Sequence, residues 1–206
     1  MKYLLFLVLI VATVTSNANP KDPSIFYIQQ GKAVHPWELS LNFGKAQLVE
    51  SQASTVRKSL SVEQTDTHVS FVWEPKRIKN QWGSVDRNIL TVNLLNRQQE
   101  INISSVVNQA AMYIKFRVMR KPQDLVDLTL ECSWNWKCRT TFPLKQLLRS
   151  VDTSTWYTVP IPLVCFDNEN FDFSKVTGMM LVTEGRLSLD VEDVYLGAVP
   201  NDFSGC

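Results

Sequence analysis

The sequence predicts an all-β protein, an antiparallel β-sandwich of the jelly-roll type with one or two short helices. Three observations predict it. Apolar residues recur at every second position in segment after segment, the period of a strand with one buried face. The segments are short and are separated by turn-forming residues. Helical spacing is confined to two brief stretches.

In chain order, strands are expected at Ile25–Ile28 and Trp37–Asn42. Val69, Phe71 and Trp73 then share one face, with His68 and Ser70 on the other. A strand follows at Ile89–Leu95. Next, Met112, Ile114, Phe116 and Val118 alternate with Tyr113, Lys115 and Arg117. Val126, Leu128 and Leu130 alternate with Asp127, Thr129 and Glu131. Trp156–Ile161 and Met179–Val182 read as strands. Leu187, Leu189 and Val191 alternate with Ser188 and Asp190, and the rhythm slips at Glu192-Asp193 before Val194 and Leu196, as a β-bulge produces. The helical stretches are Phe142–Arg149, with Thr140 or Thr141 as cap and Pro143 in the first turn, and a turn within Ile103–Ala111. Trp37, Trp73 and Trp156 read as packing residues.

The N-terminus predicts export. Lys2 precedes an apolar run from Tyr3 to Val14, and Ser16 and Ala18 supply the small residues of a cleavage site. The run is too short to span a bilayer, which takes about 20 apolar residues. Residues 1–18 are therefore expected to be a signal peptide and 19–206 one β-sandwich domain in the periplasm or outside the cell. Loss of Lys2 with the leader balances 21 basic against 20 acidic residues. Such a chain has no field for nucleic acid, and no later segment inserts in a membrane.

All four cysteines follow the leader, and an even count in an exported protein reads as disulfides. Cys132 and Cys138 enclose only Ser-Trp-Asn-Trp-Lys, a tight stapled loop, which leaves Cys165 to hold Cys206. Their spacing does not suit paired metal knuckles, and no metal ligand set is assigned. Two acidic clusters, Asp167-Asn168-Glu169-Asn170 with Asp172 and Asp190 with Glu192 and Asp193, offer oxygens of the kind a structural calcium takes, without the EF-hand spacing. No cofactor is expected.

Several ordered stretches resemble a known family. They are Asp127-Leu128-Thr129-Leu130-Glu131-Cys132 with Cys138, Phe142 to Leu148, Thr155 to Phe166, Phe173 to Val176, and Gly185 to Val194, joined upstream by Phe26-Tyr27 and Gly31 to Leu39. Together they resemble the C-terminal, non-catalytic β-sandwich of marine bacterial exo-β-glucanases of glycoside hydrolase family 3. The resemblance runs from about Ile25 to Val199. It implies a galactose-binding-like jelly roll of the sort found among carbohydrate-binding modules. Two departures stand out. The relatives' catalytic barrel has no counterpart, and Trp134 and Trp136 occupy a loop that is small and Gly/Pro-rich in the relatives.

Sugar binding needs flat aromatic faces for C–H groups and a polar rim for hydroxyls. Trp134 and Trp136, flanked by Asn135 and Lys137, lie in a loop too short to bury both rings, and Trp82 lies in a polar, turn-like stretch. These five residues are the first candidate surface. The second is the polar strand faces: Tyr113, Lys115 and Arg117 opposite Asp127 and Glu131, if those strands are neighbours. There is no GxSxG elbow, HExxH, phosphate loop or dinucleotide fingerprint. Asn102-Ile103-Ser104 forms a sequon, without meaning in a bacterial source. The leading expectation is an exported module that binds a β-glucan-like polysaccharide or oligosaccharide without cleaving it. An accessory module docking on a glycoside hydrolase is the alternative. A divergent hydrolase built on two carboxylates comes third.

Overall fold

The computed structural model describes residues 21–41, 52–54, 58–74, 90–166, 169–203 and 206. The signal-peptide segment, Trp82 and the Asp167-Asn168 pair lie outside the described residues. Among the described residues thirteen strands follow one another: β1 (Phe26–Gln29), β2 (Lys32–Ala33), β3 (Trp37–Leu41), β4 (Gln52–Ser54), β5 (Leu60–Gln64), β6 (Val69–Trp73), β7 (Leu90–Asn96), β8 (Ala110–Arg120), β9 (Val126–Cys132), β10 (Asn135–Pro143), β11 (Trp156–Pro162), β12 (Val176–Thr183) and β13 (Leu187–Ala198). One sheet runs β11-β8-β13-β6-β5-β4, with β1 on the free stretch of β13 and β2 on β1. The other runs β10-β9-β12-β7-β3, and the pairings are antiparallel.

Alternation along the strands makes the core. Met112, Ile114, Phe116 and Val118 of β8 are buried and face Leu128 and Leu130 of β9 and Val92 and Leu94 of β7 across the sandwich. Trp73 is fully buried and Trp37 nearly so, as expected of packing residues. The register of β13 against β8 shifts between Val191 and Asp193, where the sequence rhythm slips. Disulfides join Cys132 to Cys138 and Cys165 to Cys206.

Three expectations are corrected. The helix α1 spans Lys145–Ser150, because Phe142 and Pro143 pair with Leu128 and Asp127 as the end of β10. Neither threonine caps it: Thr140 Oγ1 donates to the Phe166 carbonyl and Thr141 Oγ1 meets Thr129 Oγ1 at 3.1 Å. Trp156 is not in the core; it stands on the outer face, under the Arg117 guanidinium 4.8 Å from its ring centre.

Candidate functional site

The stapled loop is a β-hairpin. Cys132 ends β9 and pairs with Asn135 at the start of β10, leaving Ser133 and Trp134 as a two-residue turn. Both have positive φ, 51° and 49°, the backbone of a type I′ turn, whose twist suits a hairpin. Neither is glycine, so the conformation costs energy that the surroundings must offset. The disulfide closes the hairpin. Ser133 N donates to Lys175 O at 2.9 Å and Trp134 N to Thr177 Oγ1 at 3.0 Å. Ser133 Oγ donates to Glu100 Oε1 at 3.0 Å.

This frame holds two indoles in water. Trp136 is 69% exposed and Trp134 50%. They differ in attachment. Trp134 lays its ring toward β7 and donates Nε1–H to the Asn96 carbonyl at 2.8 Å. Among the described residues Trp136 has no such bond, and its ring carries the Lys137 ammonium 5.6 Å from its centre. Asn135 Oδ1 accepts from Lys137 N at 3.0 Å, bracing the start of the bulge in which Glu131 pairs with Arg139. Four of the five first-surface residues are thus gathered on one hairpin. Asn96, Glu100 and Thr177, which pin that hairpin, had no signal in the sequence because their contacts join distant segments.

The second surface does not assemble. β8 lies in the eight-stranded sheet and β9 in the five-stranded one, so Tyr113, Lys115 and Arg117 never face Asp127 and Glu131. Each row finds partners in its own sheet. Lys115 Nζ donates to Glu192 Oε1 at 2.7 Å, which raises the lysine's pKa. Arg117 donates Nε–H and Nη2–H to buried Asp190 at 3.0 and 2.6 Å, and Ser70 Oγ donates to the same carboxylate at 2.7 Å. Glu131 accepts two bonds from Arg139 at 2.8 and 2.6 Å. Burial, with the Glu184 charge second, pushes the Asp127 carboxyl above its ordinary range. Tyr113 stacks on Tyr195, 5.3 Å between centres, and donates to the Ala198 carbonyl at 2.7 Å. Of the acidic cluster, Asp190 and Glu192 are committed to these cations, and Asp193 accepts from Gln30 N at 3.0 Å. Among the described residues no three His, Cys, Asp or Glu side chains converge as metal ligands.

A family model, Exop_C, described as galactose-binding domain-like, matches residues 35–196. The chain belongs to this family. A comparison with curated proteins gives no match. Among solved structures, the Exop_C fold here is similar to the extra C-terminal domain of the exo-1,3/1,4-β-glucanase ExoP from a Pseudoalteromonas species. Identity is 19% and the TM-score 0.60, over 86% of this chain and 94% of that domain. Against the whole glucanase, the match spans 22% of that enzyme's length. The family 30 carbohydrate-binding module of the cellulosomal cellulase Cel9D-Cel44B of Clostridium thermocellum is similar at 15% identity and TM-score 0.53, over 80% of this chain and 92% of the module. The Clostridium thermocellum family 11 carbohydrate-binding module, solved with a β-1,3-1,4-mixed-linked tetrasaccharide, matches at 10% identity and TM-score 0.50, over 83% of this chain and 94% of that one. At these identities the likenesses establish the fold. Among the described residues no helix is long and apolar enough to cross a membrane.

Proposed function

We propose that this Exop_C domain is an exported carbohydrate-binding module that holds a β-glucan-like polysaccharide or oligosaccharide without cleaving it, with Trp134 and Trp136 as the aromatic contact. The observation that carries the reading is the pair of exposed indoles on a hairpin fixed by a disulfide and by bonds to Glu100, Lys175 and Thr177. A hairpin fixed before the ligand arrives loses little backbone freedom on binding, so more of the contact area becomes affinity. Asn135 and Lys137 lie beside the rings, on the first residues of β10, and serve the sugar hydroxyls. The matched carbohydrate-binding modules and glucanase extra domain support a binding role. Two disulfides fit an oxidising compartment and support export.

A glycan array on the chain from Asn19 to Cys206 tests this. Neutral β-glucans are expected among the retained ligands, with no release of reducing ends on prolonged incubation. Retention of no saccharide, together with capture by a glycoside hydrolase, would replace this reading with the docking alternative.

A further inference from the structure

The hairpin does not stand alone at its end of the sandwich. β7 ends there at Asn96, and the chain from Arg97 to Gln109 crosses to the start of β8. Two residues clamp this crossing to the body. Ile101 and Ile103 are buried; Ile101 exchanges backbone bonds with Val176, and Ile103 N donates to Phe173 O at 2.9 Å. Asn96 Oδ1 accepts from Gln98 N and Gln99 N at 3.0 and 3.2 Å and fixes the first bend. The clamps leave the uncharged Gln98, Gln99, Asn102, Ser105, Asn108 and Gln109 facing solvent, together with Arg97 and Glu100, whose charges are opposite.

The row leads from the hairpin into a groove. Glu100, bonded to Ser133, marks its hairpin end. At the other end an open groove of about 390 Å³ lies between the crossing, Ile25 and the Leu196–Ala198 end of β13. Its walls are tied by Leu196 N to Ile25 O at 2.8 Å and Val199 N to Gln109 O at 2.9 Å. Tyr113 lies on Gly197, where a Cβ would come within 2.8 Å of its ring. The lining includes no charged side chain. Ile25 and Val106 give it apolar surface, 40% and 36% exposed, while Ser105 and Gln109 give it hydrogen-bonding edges. Apolar faces with a few polar groups suit an uncharged ligand with C–H faces and hydroxyls.

We infer that this groove and the amide-rich crossing are the far half of one extended saccharide site that begins at Trp134 and Trp136. The ligand is then a neutral chain of several sugar units, lying along the rim, rather than a single sugar or an acidic glycan. The six residue steps from Glu100 to Val106 can span roughly 20 Å at most, which leaves room for several sugar units. The inference rests on the saccharide reading above, and its test separates the two.

Calorimetric titration of the full chain with a mixed-linked β-1,3-1,4-glucan disaccharide and hexasaccharide makes that test. Ser105→Trp fills the groove from an exposed position, and Gln109→Ala removes one edge group without adding bulk. The wild type is expected to bind the hexasaccharide about tenfold or more tighter than the disaccharide, the scale of one further good contact. Both groove variants should lose most of that advantage and hold the disaccharide as before, and Trp136→Ala should weaken both ligands. Hexasaccharide affinity unchanged in both groove variants, with Trp136→Ala still impaired, would overturn the extended site and leave the hairpin reading standing. Wild-type protein that holds neither ligand would sink both. If Ser105→Trp lowers the melting temperature, the Gln109→Ala result decides.

Discussion

The two indoles that form the proposed contact are attached differently, and their stability costs should differ. Trp134 is half exposed, so of the 150–250 Å² a tryptophan can bury it hides about 100 Å². At about 25 cal/mol per Å² this is about 2.5 kcal/mol. Its Nε1–H bond to Asn96 O adds about 1 kcal/mol. Trp134→Ala is therefore expected to cost about 3.5 kcal/mol. Trp136 is more than two-thirds exposed and hides only about 60 Å², so Trp136→Ala should cost about 1–1.5 kcal/mol, an upper figure because unfolded chains are not fully extended. Urea denaturation followed by far-ultraviolet circular dichroism reads both. In a domain of this size each kcal/mol also moves Tm by about 2–4 °C. Equal costs, or a larger cost at Trp136, would refute the view that one ring is anchored and the other free.

Other expectations follow from the core, the disulfides and one carboxylate. Phe116 is buried in the middle of β8, and Phe116→Ala should cost about 3–5 kcal/mol in the same denaturation assay; a cost below about 1 kcal/mol would misplace the register. The Cys165–Cys206 bridge spans 41 positions and the Cys132–Cys138 bridge 6. Loop-closure entropy assigns them about 4 and 2.4 kcal/mol, so paired serine substitutions should destabilise in that order, and peptide mapping without reductant should find no crossed pairing. Burial raises the Asp127 pKa, so its ionised form opposes folding. Asp127→Asn should therefore stabilise the domain at neutral pH, and the gain should vanish as pH falls below the ordinary carboxylate range, where the acid is protonated in both states. A gain that grows with acidification would reverse the assignment.

How much of this was legible depended on whether a residue's partner lay within its own segment. β8 and β13 carry long, strict alternation, and the bulge between Val191 and Asp193 shows as a broken rhythm. β10 carries no strand signal because it is an edge strand: along Asn135–Pro143 only Cys138, Thr140 and Phe142 turn inward, and the rest, Trp136 and Pro143 apart, is polar. β5 is short, with only Leu60 and Val62 to mark it. The helix came out late because Phe142-Pro143 fits a first helical turn as well as a strand end, and only pairing with β9 decides. The polar rows of β8 and β9 read in sequence as one platform because they are consecutive in the chain, yet the chain changes sheets between them. Exposure of Trp134 and Trp136 could be read from the shortness of their loop. The bond that fastens Trp134 to Asn96, 38 positions away, could not.

The central claim is that the exposed indole of Trp136 holds sugar. Affinity electrophoresis in gels cast with soluble mixed-linked β-glucan tests it directly, because a folded variant is compared with wild type in a single field. Wild-type protein should be retarded by the polysaccharide. Trp136→Ala should keep its fold and lose about 1–3 kcal/mol of binding, the scale of one dominant contact, and so migrate nearly as in a plain gel. Equal retardation of Trp136→Ala and wild type would contradict the account and leave the hairpin as a structural cover for the end of the sandwich.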